Sequence, residues 1–199
     1  MSDTVHLQAP LPTGSVGKLA NGWFGMIALV ATEGALFAYL LFSYFYFDVQ
    51  YGRSWLPDPL PAFRLSGPNT AILVVSSLTM VWAERAARRG ANGRAALGIA
   101  LSFVLGLVFV GIQLMEWKDK TFNYASSSYG SLYFLITGFH MAHVVAGLLV
   151  LAALLAWTLL GYFDARRHAP VSIGALYWHF VDVVWLCVFF SLYVTPHLR

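Results

Sequence analysis

The sequence predicts an all-α integral membrane protein, a bundle of five transmembrane helices. Of its 199 residues, 59% are hydrophobic and only 11% charged, and the mean hydropathy is +0.67. The apolar residues gather into five runs that reach or approach the length needed to cross a hydrocarbon core of about 30 Å, which takes about 20 helical residues. Those runs are continuous, whereas the strands of a membrane barrel alternate over about 10 residues.

In chain order the predicted spans are approximately 23–47, 68–87, 95–115, 130–162 and 172–196. The first continues from Thr32 and Glu33 into an aromatic-rich stretch. The second is the weakest, because Glu84 and Arg85 close it early and Ser76, Ser77 and Thr79 lie inside it. The third is apolar up to Met115 and ends in the run Gln113 to Trp117. The fourth is the longest, which implies tilt or an extension beyond the bilayer. The fifth contains the unusual stretch Tyr177-Trp178-His179-Phe180-Val181-Asp182-Val183-Val184-Trp185.

Residues 1–21 contain Pro10, Pro12 and several polar residues without an apolar core, so they read as an N-terminal tail and not as a cleavable signal peptide. The first span then serves as its own insertion signal. Residues 22–199 read as one five-helix membrane domain, without repeat, linker or low-complexity segment. Cytoplasmic loops are enriched in Lys and Arg. The second loop holds Arg85, Arg88, Arg89 and Arg94, and the fourth holds Arg166 and Arg167. The first and third carry Arg53, Arg64, Lys118 and Lys120, offset by Asp48, Asp58, Glu116 and Asp119. This distribution puts the N-terminus in the cytoplasm and the C-terminus outside. The net charge of +3 is thus mostly a topology signal, and no aromatic-basic motif points to nucleic acid. The single cysteine, Cys187, cannot form an internal disulfide and reads as a buried inert thiol.

An ionisable side chain at the bilayer centre costs roughly 2.5–3.5 kcal/mol on insertion scales, so such residues face other helices, a cavity or a proton path. Here they are Glu33, His140, His143, His179 and Asp182. His140 and His143 are three apart, as are His179 and Asp182, so each pair shares a helical face. Interhelical hydrogen bonding is the plain reading, at about 0.6 kcal/mol per bond on average. Metal or haem ligation by neutral imidazole is the sharper one. It finds little support in a bare His-x-x-His pattern with no Cys-x-x-Cys-His attachment and one cysteine. For Glu33 two readings stand: a carboxyl that holds or relays a proton, and one that hydrogen-bonds a facing helix. Gln113 and Glu116 share a face at the end of span three, where solvation next to a loop is expected for Glu116.

The block Thr137-Gly138-Phe139-His140-Met141-Ala142-His143-Val144 resembles the TGFHxxHV signature of subunit III of haem-copper terminal oxidases, and Tyr177 to Trp185 matches that family's YWHFVDVVW. Thr32-Glu33, Asn69 to Leu73 and Gln113 to Trp117 extend the resemblance over nearly the whole chain from Trp23. Longer members have seven spans and this pattern lacks the first two, as in the short five-span bacterial form.

The resemblance implies an accessory, cofactor-free subunit III of a proton-pumping cytochrome c oxidase in a bacterial inner membrane. Haems and copper would then belong to subunits I and II, and this chain would support proton uptake and protect the catalytic subunit during turnover. It also implies bound phospholipid. Glu33 matches the family's carbodiimide-reactive carboxyl, where quinol-oxidising relatives often carry Asp. Cytochrome c is therefore the expected electron donor, with a quinol as the alternative. His140, His143, His179, Asp182 and Glu116 would have packing or lipid-headgroup roles, and Arg85 and Arg88 would meet anionic lipid phosphates. Two other functions remain open: a membrane protein associated with nitric oxide reduction, and a stand-alone transporter using Glu33 and Asp182 as proton relays.

Overall fold

In the computed structural model, which describes residues 21–163, 165 and 167–198, the chain is a bundle of five long helices. They are α1 (Asn21–Tyr51), α2 (Phe63–Arg88), α3 (Asn92–Lys118), α4 (Ser128–Leu159) and α5 (Ala169–Phe189). Each is long and apolar enough to cross a membrane, α5 together with its short continuation to His197. No strand occurs among the described residues. Residues 1–20 and Arg166, on which the tail and part of the orientation argument rest, lie outside the described residues.

Local chemistry sets the helix ends. The Ser127 hydroxyl accepts the Gly130 amide at 3.0 Å and so caps α4. Gly90, at φ +71°, closes α2: the Ala91 amide returns to the Ala86 carbonyl at 3.0 Å. Gly161 does the same for α4, where the Tyr162 amide reaches Trp157. Pro170 sits in the first turn of α5, where its missing amide costs nothing.

Lipid tails are as apolar as the side chains, so close backbone approach and polar ties govern helix packing here. α3 lies between α2 and α4, α5 packs across α2 and α4, and α1 stands outermost on α4 and α5. At the tight α2–α3 crossing, a Cβ on Gly98 would lie 2.7 Å from the Ala83 Cβ. Trp178 of α5 is wedged against Gly106 of α3 and Gly147 of α4, where an added Cβ would meet its ring at 2.8 Å. Its Nε1 donates to Ser76 of α2 at 3.1 Å, so one side chain ties three neighbouring helices.

Four details depart from expectation. α2 begins at Phe63, ahead of Pro68, because Ser66 and Thr70 return their hydroxyls to backbone carbonyls at 3.2 and 2.7 Å and neutralise their own polarity. α4 stops at Leu159, three residues short of Tyr162, where Gly161 turns the chain. Asp48 belongs to α1 and is buried; it is not a loop acid. The fifth span is not one α-helix: after Phe189 it widens into a π-helical turn (Phe190–Val194) and then a 3₁₀ turn (Thr195–His197). A π turn changes the face that later residues present. Ser191, Leu192 and Tyr193 are buried in succession.

Candidate functional site

The polar residues read from the sequence fall into separate clusters. Glu33 of α1 meets His143 of α4, Oε2 to Nε2, at 3.2 Å. The His143 Nδ1 lies 2.7 Å from the Phe139 carbonyl, which can only accept, so Nδ1 carries a proton. Nε2 then faces the Glu33 carboxyl, and a proton between the two would complete the hydrogen bond. The pair borders an open groove of about 230 Å³ lined by Leu29, Glu33, Ala142, His143, Ala146 and Tyr177. The Tyr177 hydroxyl donates to the His143 carbonyl at 3.2 Å. Glu33 has no basic residue in its own span, and the partner arrives from a helix 110 residues away.

His140 behaves differently, although Phe37 touches both histidine rings and confirms that they share a face. It is 1% exposed, with Phe109 and Trp185 at ring distances of 5.8 and 4.8 Å and, among the described residues, no hydrogen bond to either nitrogen. Aromatic rings, not ligands, surround it.

His179 and Asp182 both reach Ser77 of α2, which makes them the shared face that their spacing predicts. The His179 Nδ1 is 3.0 Å from the Ser77 hydroxyl, and the Asp182 carboxyl lies beside that hydroxyl. The neighbouring Ser76 carbonyl accepts from Ser102 of α3 at 3.0 Å, and Ser102 meets Thr79 at 2.7 Å. The serines that weaken span two in a hydropathy reading are thus its ties to α3 and α5.

Glu116 corrects an expectation: it is not solvated beside a loop but 4% exposed. Oε1 accepts from Lys120 at 2.9 Å and from the Tyr193 hydroxyl at 2.7 Å, with Tyr133 at 3.4 Å. The two phenols meet at 2.8 Å, and the Lys120 ammonium lies 5.1 and 5.4 Å from the two ring centres. Tyr193 lies within the π turn after Phe189, a turn that changes the face its residues present. Gln113, one turn away, is also buried. Cys187 is a second correction. It is exposed on α5, because immersion in a bilayer is not burial in the protein.

At the opposite end Arg85 is exposed, and Arg88 pairs with Glu84 at 2.6 Å with its side chain 55% exposed. Sequence reasoning missed the roles of Ser77, Tyr133, Trp178 and Tyr193. Ser77 and Trp178 had a signal in their spacing against small and polar residues on other helices, but Tyr193 had none. Among the described residues, no group of three or more His, Cys, Asp or Glu is placed to hold a metal ion.

These features define a polytopic α-helical membrane protein with ionisable residues tied between helices. Comparison with known proteins makes the class specific. A family model described as cytochrome c oxidase subunit III matches residues 16–196. Cytochrome c oxidase subunit 3 of Formosania lacustris is 34% identical over 177 residues, covering 85% of this chain and 68% of that protein. The protein of the same name from Branchiostoma lanceolatum is 35% identical over 176 residues, covering 85% and 67%. The chain belongs to the cytochrome c oxidase subunit III family. It is therefore a membrane subunit of an oxidoreductase complex and functions with other oxidase subunits, and the nitric-oxide-related and transporter readings are not favoured.

Proposed function

We propose that this chain is the non-catalytic subunit III of a cytochrome c oxidase, set beside subunits I and II in a bacterial inner membrane. The observation that carries this reading is the dispersal of its intramembrane histidines. His140 is caged by aromatic rings, His143 is held by Glu33 and the Phe139 carbonyl, and His179 is bonded to Ser77. Each is committed to a different helix contact, an arrangement suited to a bundle that leaves haem and copper to its partners. The relatives' name supports cytochrome c over a quinol as the donor served by the complex.

Within that role the Glu33–His143 pair holds one proton at the edge of the bundle, beside a groove open to the membrane. It supports proton uptake by the catalytic subunit. The mostly apolar lining of the groove suits a phospholipid chain, and Arg85 and Arg88 at the opposite end suit anionic headgroups. His140, His179, Asp182 and Glu116 are structural ties. The distribution of arginines between the loops supports an orientation with the α2–α3 turn and the N-terminal tail, residues 1–21, in the cytoplasm and the C-terminus outside, and residues 22–199 form one membrane domain in this reading.

The test is purification through an affinity tag on this chain from its native membrane in mild detergent. A reduced-minus-oxidised spectrum and mass spectrometry of the co-purifying chains follow. Haem bands with a copper-binding second subunit are expected. Haem without that copper site would move the assignment to a quinol oxidase, and a chain that copurifies with no haem would refute the reading.

A further inference from the structure

Ser77, His179 and Asp182 form a polar centre on a face that otherwise offers apolar side chains to the membrane. α2 exposes Val75, Leu78 and Trp82 there, and α5 exposes Val183 and Leu186. His179 lies ten residues into α5, about 15 Å along its axis. Ser77 sits at the middle of α2.

The Ser77 hydroxyl lies 3.0 Å from His179 Nδ1, so that nitrogen is engaged within the bundle whichever tautomer the ring adopts. Nε2 has no hydrogen-bond partner among the described residues, on a half-buried side chain at the surface. Beneath it Asp182 is 8% exposed, and its Oδ1 has no hydrogen-bond partner among the described residues. Hydrocarbon supplies no hydrogen-bonding group, so a ring nitrogen left at the lipid-facing surface at this depth calls for another protein. The outer face of α1 makes the contrast: Ile27, Tyr39, Phe42 and Tyr46 are exposed there with no imidazole or carboxyl group among them.

We propose that the α2/α5 face centred on His179 docks a membrane-spanning helix of a neighbouring oxidase subunit, and that this helix presents a hydrogen-bonding side chain to His179 Nε2. That side chain is a Ser, Thr, Tyr, Asn or Gln, which can donate or accept, flanked by apolar residues that cover Leu78 and Val183. The proposal rests on the complex-forming role above and adds which face meets the partner and through which chemistry.

The test uses the intact complex in its native membrane. A photoreactive benzophenone amino acid is placed singly at Leu78, Val183, Tyr39 or Phe42, and the tagged chain is isolated after illumination. Cross-links from Leu78 and Val183 to a haem-bearing subunit are expected at several-fold higher yield than from Tyr39 and Phe42. Protein cross-links from the α1 positions alone would overturn the proposal and leave the oxidase reading intact. A wild-type chain that brings down no partner would overturn both. A second measurement separates the hydrogen bond from the shape of the face: His179→Leu should retain several-fold less partner in detergent, while His179→Gln, whose amide can donate or accept, should retain nearly all. Equal retention by the two variants would overturn the hydrogen-bond half of the proposal.

Discussion

Replacing Tyr193 with Phe deletes one oxygen from the Glu116 cluster and leaves a ring of the same shape stacked on Phe189 at 5.5 Å. Two hydrogen bonds disappear. The bond to the Glu116 carboxylate, at 2.7 Å, is of the charged kind, which contributes about 1.5–3 kcal/mol. The bond to the Tyr133 phenol, at 2.8 Å, is neutral and contributes about 0.5–1.5 kcal/mol. The sum overstates the loss, because Tyr133 is already 3.4 Å from the same carboxylate oxygen and can close on it. Lys120 remains at 2.9 Å in any case. A destabilisation of about 2 kcal/mol is expected.

Glu116→Gln removes the charge while keeping an oxygen in place. Breaking a buried ion pair costs about 3–5 kcal/mol, but the Lys120 side chain is 12% exposed at the helix end and can turn its ammonium outward, so about 2 kcal/mol is again expected. The double variant carries the argument. The Tyr193–Glu116 bond cannot be lost twice, so the two effects should fall short of their sum by about 1 kcal/mol or more. Equilibrium unfolding in mixed micelles, followed by helicity, measures all three variants. Tyr193→Phe combined with Thr158→Val, at the far end of α4, is the control that should add within about 0.5 kcal/mol. Additivity to that precision in the Glu116 pair would refute a cooperative cluster.

Gly147→Ala places a Cβ 2.8 Å from the Trp178 ring and should cost about 1–3 kcal/mol in the same unfolding assay, whereas Gly111→Ala, with open space around it, should stay within about 1 kcal/mol of wild type. Similar values for the two would mean that Trp178 is not wedged. A hydrophobic carbodiimide should modify Glu33, beside its membrane-facing groove, ahead of the loop acids Asp58 and Asp119; equal labelling by peptide mapping would remove the special status of the pair with His143. Cys187 should react with a membrane-permeant thiol reagent when the isolated chain is held in detergent, and a thiol that resists under those conditions contradicts its exposed position.

The five spans were legible because a bilayer imposes one length on every helix, and their order follows from the chain. Register within each span was legible only where polar residues recur at helical spacing: Ser77 joins His179 to Asp182, and Phe37 joins His140 to His143. Partnerships between helices were not, since nothing local connects Glu33 to His143. Glu116 misled because Lys118, Asp119 and Lys120 follow it and make the segment look solvated, while it is covered by Tyr193, which lies within a π turn. Cys187 misled for a different reason. Hydropathy separates inside from outside in water, but within a membrane both faces of a helix are apolar.

That last point raises the question of what fixes the rotation of α5 about its own axis, since apolar residues line it on every side. The stretch Tyr177 to Trp185 answers residue by residue. Tyr177 bonds the His143 carbonyl of α4, Trp178 fills the space left by Gly106 and Gly147 and bonds Ser76, and Phe180 lies near Gly34 of α1. His179 and Asp182 hold Ser77, and Trp185 donates to Thr70 of α2 at 2.9 Å while covering the His140 ring. Each interhelical hydrogen bond is weak, about 0.6 kcal/mol on average. They point in different directions, however, so a rotation of α5 in either sense breaks several at once. The orientation of α5 is thus over-determined by contacts with α1, α2, α3 and α4, and it is this fixed orientation that holds the one free nitrogen of His179 toward the membrane.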